Sequence, residues 1–111
     1  MVLTTQGKNF IRDLIDTDIS QGQLGTDNTA PNATDTGLIS PIAATLKTVT
    51  TTTADKQISI EYSLATTEGN GNTYQEFETR VTSGGINRVT FVGIPKTSTI
   101  EMNVITTLFI K

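Results

Sequence analysis

Hydrophobic and polar positions divide the chain into one helical segment followed by a series of strands. Between residues 3 and 15 (LTTQGKNFIRDLI) one side of a helix collects Leu3, Gly7, Phe10, Ile11, Leu14 and Ile15. Their spacings of three and four predict a short amphipathic helix. Thr4 or Thr5 can cap its start, and the acidic DTD at 16–18 marks its end. Gly7 weakens this helix by about 1 kcal/mol relative to alanine, so tertiary packing has to stabilise it.

From Gln57 onward the pattern changes to alternation, which is typical of strands with one buried face. QISIEYSLA places Ile58, Ile60, Tyr62 and Leu64 on one face. Further strands are predicted at 73–82, 86–94 and 99–110. The glycine- and asparagine-rich EGNGN at 68–72 predicts a hairpin turn, and Ser83-Gly84-Gly85 predicts a second turn.

The segment before Gln57 is more polar. A short strand is predicted at 19–24, and residues 43–53 (AATLKTVTTTT) form either a polar strand with an exposed threonine face or a disordered run, of which we favour the strand. Residues 22–42 contain two prolines, which exclude a regular helix or strand, and are predicted to be an ordered loop. Within this loop Asp35 is expected to cap a single helical turn that Pro41 ends.

These elements predict an all-β fold. We expect one domain over residues 1–111: an N-terminal helix in 1–18, a Pro/Thr/Asn-rich loop at 22–42, and the main sheets over 43–111, forming an antiparallel β-sandwich of about six strands. Composition agrees, because threonine supplies 23 of the 111 residues and β-branched side chains favour extended backbone.

The net charge and the absence of certain residue types argue against several classes of function. The net charge is −3 and there is no basic run, which argues against a nucleic-acid partner. No apolar run approaches membrane-spanning length, and MVLTTQGKNF does not have the pattern of a signal peptide. Histidine and cysteine are absent, so the usual nucleophilic triads are excluded and acid–base chemistry is left to carboxylates, lysine or tyrosine. We therefore predict a protein that is not an enzyme and that has no catalytic residues, cofactor or metal.

Acidic residues supply two alternatives to that prediction. Asp13, Asp16, Asp18, Asp27 and Asp35, with Asn28 nearby, could hold calcium, but they fit no EF-hand spacing and are favoured as helix-end and turn residues. Glu76 and Glu78 share one strand face, and with Glu61 they could form the carboxylate pair of a glycosidase. We favour a solvated strand face on which the two glutamates pair with Arg80 or Arg88.

Two short motifs carry less weight. EGNGN superficially matches a phosphate-binding loop, but the strand–loop–helix context is missing, so the hairpin interpretation is preferred. Asn32-Ala33-Thr34 fits an N-glycosylation pattern that occurs often by chance.

Four blocks, in order, resemble short virion structural proteins of tailed phages, usually described as tail or tail-fibre proteins. LGTDNTAPNATDTGL resembles their "GTGTTAP-small-small-D-T-x-L" signature, and LTTQGKNFIRDLID resembles their opening helix. ATTEGNGNTYQEFE resembles their "ANGNTLTEAGLF" hairpin, and RVTFVGIPKTSTIEMNVITTLFI their closing strands. The chain departs from the pattern at Asp27, which replaces a glycine, and in lacking the tryptophan of the last strand.

The resemblance implies a β-sandwich virion component, assembled in the host cytoplasm and attached to the tail or tail fibres. Its expected partners are further copies of itself and other virion proteins. The alternatives are a capsid decoration or head-fibre protein, and a tip module that binds a receptor or glycan on the host surface. Under this hypothesis the loop contacts a neighbouring subunit. The candidate contact residues are Thr26, Asp27, Asn28, Thr29, Pro31, Asn32 and Asp35.

Overall fold

The computed structural model describes residues 1–111, which form one helix and eight strands. The elements, in chain order, are α1 (Thr5–Asp18), β1 (Gln21–Gly25), β2 (Lys47–Thr48), β3 (Thr50–Ala54), β4 (Gln57–Leu64), β5 (Thr73–Val81), β6 (Gly84–Gly85), β7 (Val89–Pro95) and β8 (Met102–Phe109). A 3₁₀ turn, Ala43–Thr45, precedes β2. The prediction of a mostly β chain with one short helix is confirmed.

The strands form two antiparallel sheets. In the larger sheet the order is β2-β1-β5-β6, and β7 pairs with another part of β5. The smaller sheet has the order β3-β4-β8. The register of β5 against β7 shifts between Tyr74 and Glu76. This irregularity, typical of a β-bulge, lets Tyr74 and Phe77 both reach the core although they are three residues apart.

The core draws on both sheets. Leu24, Tyr74 and Phe77 come from the larger sheet, and the smaller sheet supplies Ile58, Ile60, Tyr62, Leu64 and Met102. The rings of Tyr62 and Phe77 meet edge to face, with centroids 5.2 Å apart. Gly22 lies against this pair: a Cβ built there would be 2.8 Å from the Phe77 ring and 2.9 Å from Tyr62. The strand therefore needs glycine at this position.

Helix α1 lies against the smaller sheet but buries none of its side chains completely. Thr4 is the N-cap, and its hydroxyl accepts a hydrogen bond from the Gly7 N–H at 3.0 Å, as one of the two predicted caps requires. Arg12 donates to the Ala54 carbonyl at 2.6 Å, which fixes the helix to the end of β3. Ile15 packs on the core, whereas Phe10 remains exposed. No helix of this chain has both the length and the apolar character needed to cross a bilayer.

Several boundaries differ from the prediction. Residues 43–53 are not one strand: the 3₁₀ turn comes first, and β2 and β3 then belong to different sheets. The threonine run itself is a largely exposed strand, as favoured. Strand β7 begins at Val89 and not at residue 86, and β8 begins at Met102 and not at residue 99. The pair Gly84–Gly85, predicted as a turn, forms the short strand β6.

The EGNGN segment is a turn but not a hairpin, which corrects the prediction. It connects β4 to β5, and these strands lie in different sheets. The buried Lys96 ammonium fixes this crossing by donating to the Asn70 side-chain oxygen at 2.7 Å and to the Thr97 carbonyl at 3.0 Å. The hairpin of the smaller sheet lies instead between β3 and β4, where Lys56 has a φ of 55°.

Candidate functional site

The most unusual part of the molecule is the segment 26–42, called the covering loop below. Residues 22–25 of the predicted loop belong to β1, so the loop begins at Thr26. The predicted helical turn after Asp35 is absent, because Asp35 closes a turn within the loop by accepting from the Asn32 N–H at 3.0 Å. The covering loop lies over the larger sheet, on the face opposite the core.

Register shows which side chains lie beneath the loop. Leu24 is paired with Phe77, and both face the core. Because neighbouring residues of a strand point to opposite faces, Glu76 and Glu78 lie on the other face. That face is not solvated: Glu76 is 0% and Glu78 is 1% exposed. The prediction of a solvated glutamate face is therefore wrong, although the predicted pairing of the two glutamates with Arg88 and Arg80 is confirmed.

Glu76 holds both ends of the covering loop. Its carboxylate accepts hydrogen bonds from the backbone N–H groups of Asp27 at 3.2 Å, Ile39 at 2.9 Å and Ser40 at 2.8 Å. It also accepts from the Arg88 Nε at 2.8 Å. One buried side chain thus supplies the acceptors that the loop backbone would otherwise find in water.

Arg88 lies immediately before β7 and holds the middle of the same loop. Its Nη1 donates to the Thr29 carbonyl at 2.8 Å, and Asp35 and Asp27 approach the guanidinium at 3.4 and 3.5 Å. The Arg88 side chain is only 2% exposed. A buried guanidinium is stable only when its donors are paired, and here the glutamate, two aspartates and a carbonyl supply the partners.

The loop also folds on itself. Asp27 accepts from the Thr29 N–H at 2.7 Å, and Asn32 accepts from the Thr34 N–H at 2.9 Å. These are the two-residue turns that aspartate and asparagine side chains favour. With Glu76 and Arg88 beneath it, the covering loop has internal and external hydrogen bonds along most of its length.

These contacts shift the pKa values of Glu76, Asp27 and Arg88. Burial by itself raises the pKa of Glu76, but the hydrogen bonds from Arg88 and from three backbone N–H groups outweigh burial and hold the pKa below its ordinary value of 4.5. Hydrogen bonds from Thr29 lower the pKa of Asp27. The hydrogen bond to Glu76 raises the pKa of Arg88 further above its ordinary range. These directions favour the ionised forms of Glu76, Asp27 and Arg88 near neutral pH.

Glu78 forms a second buried contact in the larger sheet. Arg80 Nη1 donates to its Oε1 at 2.8 Å, while its Oε2 is buried without a hydrogen-bond partner. Gly37 of the loop and Gly85 of β6 both lie against this second oxygen. A side chain on either glycine would press on the carboxylate, so the loop approaches the sheet closely only because both residues lack a Cβ.

The predicted contact residues divide into two groups. Asp27 and Asp35 turn inward to Arg88, and Thr26 is half-buried, with its carbonyl accepting from Gln75 at 2.9 Å. The exposed members are Asn28, Thr29, Pro31 and Asn32. Beside them a cleft of about 210 Å³ opens between the loop and the start of β7, with Asn32, Asp35 and Asn87 among its lining residues.

The other acidic candidates are not brought together. Asp13 pairs with Arg12 at 2.7 Å, and Asp18 accepts from the Thr82 hydroxyl at 2.6 Å, whereas Asp27 and Asp35 approach Arg88. The structure contains no group of three or more acidic, histidine or cysteine side chains arranged to hold a metal ion. Glu61 lies in the smaller sheet, paired with Ile105, and so does not face Glu76 and Glu78 as the glycosidase alternative requires.

Comparison of the chain with models of protein families, with curated protein sequences and with solved structures yields no match.

Proposed function

We propose that this chain is a non-enzymatic structural protein of a tailed-virus particle, assembled by self-association and attached to the tail or tail fibres. The resemblance of four sequence blocks to such proteins motivates the proposal. The observation that carries it is the covering loop, a surface segment without catalytic side chains that is fixed to the sheet by a buried carboxylate and a buried guanidinium.

A fixed loop suits assembly because a preordered surface loses little conformational entropy on binding. The exposed part of the covering loop presents small polar and proline side chains whose backbone is already hydrogen-bonded. We therefore assign Asn28, Thr29, Pro31 and Asn32 to the contact with a neighbouring subunit, and Asp27 and Asp35 to holding that surface in place.

The overall shape also suits a fibre or tail component. The molecule measures 50 × 27 × 23 Å. The two sheets contribute to one common core, from which we propose that they pack face to face as a β-sandwich. An elongated β-rich subunit with large apolar side chains left exposed on its outer strands is typical of a protein that is completed by neighbours.

Two alternative functions would use features of the same structure. A capsid decoration or head-fibre protein would use the same subunit contacts at a different place on the particle. A receptor- or glycan-binding tip module would use the cleft beside Asn32 and Asn87, whose amides are suited to sugar hydroxyls. At about 210 Å³ the cleft is smaller than a typical small-molecule site, which favours the assembly role over the binding role.

The location is tested by gold labelling of purified particles with an antibody to this chain, viewed by electron microscopy. Antibody preadsorbed with the purified chain is the control. We expect label at the tail or its fibres. Label distributed over the head would favour the capsid-decoration alternative, and particles without label would contradict a virion role.

The role of the loop is tested in particles. Asn28 is exposed and its side chain makes no hydrogen bond, so Asn28→Arg should leave the fold intact but reduce incorporation. Thr52→Arg, at an exposed position of β3, is the matched control. Deletion of residues 26–35 should abolish incorporation into particles. Normal incorporation of the deletion variant would show that the loop is not needed for assembly.

A further inference from the structure

Strand β8 forms an open edge of the smaller sheet. It pairs with β4 over its whole length and has no partner strand on its other side. The Ile110 N–H donates to the Lys56 carbonyl at 2.8 Å, so the even-numbered residues of this strand direct their backbone groups to the β4 side. Because hydrogen bonding alternates along an antiparallel strand, the N–H and C=O groups of Asn103, Ile105, Thr107 and Phe109 point to the open side.

This edge lacks the features that normally prevent strands from pairing further. MNVITTLF contains no charge and no proline, and its register with β4 has no bulge. Ile105 and Phe109 are 70% and 57% exposed on the face away from the core. Soluble proteins usually protect an open edge with lysine, proline or a bulge, and an unprotected one is a template for another strand.

The other long edges are protected. At the end of β3 the Ala54 carbonyl accepts from Arg12 of the helix, and β3 carries mostly threonine. Strand β7 has a register shift against β5 and ends at Pro95. Only β8 combines a regular ladder with an uncharged, partly apolar sequence.

We infer that β8 pairs with the β8 of a second copy of this chain, antiparallel and symmetric about Thr106. Charge complementarity identifies a second copy and its register. The uncharged strand is flanked by Glu101 on one side and Lys111 on the other, both exposed. With Thr106 on the two-fold axis, Glu101 of each copy lies opposite Lys111 of the other.

The same register also gives every other residue of β8 a partner on the second copy. Ile105 lies opposite Thr107 and Asn103 opposite Phe109, and these are the residues whose backbone groups are free, so each finds a partner. On the core side Val104 lies opposite Leu108, and Met102 opposite Ile110. The half-buried Val104, Leu108 and Ile110 thus become covered. The two smaller sheets would continue into one sheet across the pair.

The inference rests on the self-association in the proposed function and adds a second contact to it, separate from that of the covering loop. A single strand pair lies at the low end of interface size, so the isolated dimer should be weak and strengthened by other contacts in the particle. Measurement therefore requires a wide range of protein concentration.

The test is charge reversal followed by mixing, with sedimentation and native mass spectrometry as readouts. Glu101→Lys places lysine opposite lysine at both ends, and Lys111→Glu places glutamate opposite glutamate. Each variant alone should dimerise about tenfold more weakly than the original chain, the combined size of two surface ion pairs turned to repulsion. A mixture of the two should form heterodimers at least as tightly as the original homodimer.

A second measurement uses the absence of cysteine from the chain. Directly opposed Cα atoms in a non-hydrogen-bonded pair are about 4.5 Å apart, within reach of a disulfide. Thr106→Cys should therefore form a disulfide-linked dimer under mild oxidation, whereas Thr52→Cys on β3 should not. Circular dichroism of both variants checks that the fold is retained.

Three results overturn the inference: a chain that stays monomeric at all concentrations, dimerisation unaffected by either charge reversal, or a mixture without preference for heterodimers. None of these alters the result of gold labelling. A failure of the β8 contact is therefore distinguishable from a failure of the virion role.

Discussion

The Glu76 carboxylate lies 2.8 Å from the Arg88 Nε, and both side chains are almost completely removed from solvent. The pair bridges β5 and the start of β7, and the covering loop closes above it. Neither member could be buried alone, because an unpaired charge in a protein interior is strongly destabilising.

Glu76→Gln should therefore be severely destabilising. The amide keeps the shape but leaves Arg88 without its main counter-charge, so we expect the free energy of unfolding to fall by about 3–5 kcal/mol. Urea denaturation at neutral pH measures the loss. Glu61→Gln, on the exposed face of the smaller sheet, should change it by less than about 0.5 kcal/mol. Equal effects of the two variants would contradict the importance of the buried pair.

Acid should destabilise the chain through the same group. The pKa of Glu76 is lowered on folding, so its stabilisation is complete above its ordinary pKa of 4.5 and is lost as the pH falls below that value towards the folded pKa. Asp27 acts in the same direction. Thermal unfolding between about pH 6 and pH 2 should show a decreasing melting temperature. The decrease should be shallower in Glu76→Gln, and an unchanged slope would exclude Glu76 as its source.

Alkaline titration should show two protected tyrosines, the only tyrosines of the chain. Burial raises the pKa of Tyr62, whose hydroxyl donates to the Thr45 carbonyl, and burial also raises that of Tyr74. Their contribution to stability is present below the ordinary pKa of 10.0 and is lost as the pH rises through the folded values. Phenolate absorbance should therefore appear only above pH 10.0, together with unfolding. In urea-unfolded protein it should appear near the ordinary pKa, and identical titrations of the two states would refute the protection.

Two glycine substitutions should have opposite effects. Gly22→Ala forces a methyl group against Phe77 and Tyr62 and should cost about 1–3 kcal/mol of unfolding free energy. Gly7 is half-buried near the start of α1, where the nearest atoms belong to the movable Leu3 side chain and to Thr4, and Gly7→Ala should stabilise by up to about 1 kcal/mol. Thermal denaturation of both variants against the original chain measures the difference. A neutral Gly22→Ala would show that the core relaxes there.

Sequence periodicity correctly predicted those elements whose type does not depend on which other element they pack against. Helix α1 and strand β4 have apolar spacings that only one kind of backbone satisfies. The EGNGN turn is different, because its residues permit a hairpin and a crossing between sheets equally well. The outcome depends on Lys96, which is remote in sequence and holds the turn at Asn70.

The buried glutamates were mispredicted for a related reason. Charged residues on one strand face usually indicate solvent. Here that face is covered by a segment whose contacts to Glu76 come from 36 to 49 residues earlier in the chain. The opposite charges of Glu76 and Arg88 on nearby strands were visible in the sequence and correctly suggested a pair. What local patterns could not supply was the covering loop, whose position depends on the pair beneath it.

The dependence of the covering loop on Glu76 and Arg88 also determines when its outer surface can exist. The pairing of β5 with β7 places Arg88 beside Glu76, and the Glu76 carboxylate accepts from three N–H groups of the loop backbone. We therefore expect the loop to become ordered late in folding, after these two strands have paired. In the proposed assembly, an incompletely folded subunit would not display this surface, so a neighbour that binds it would select finished molecules and leave unfinished ones out.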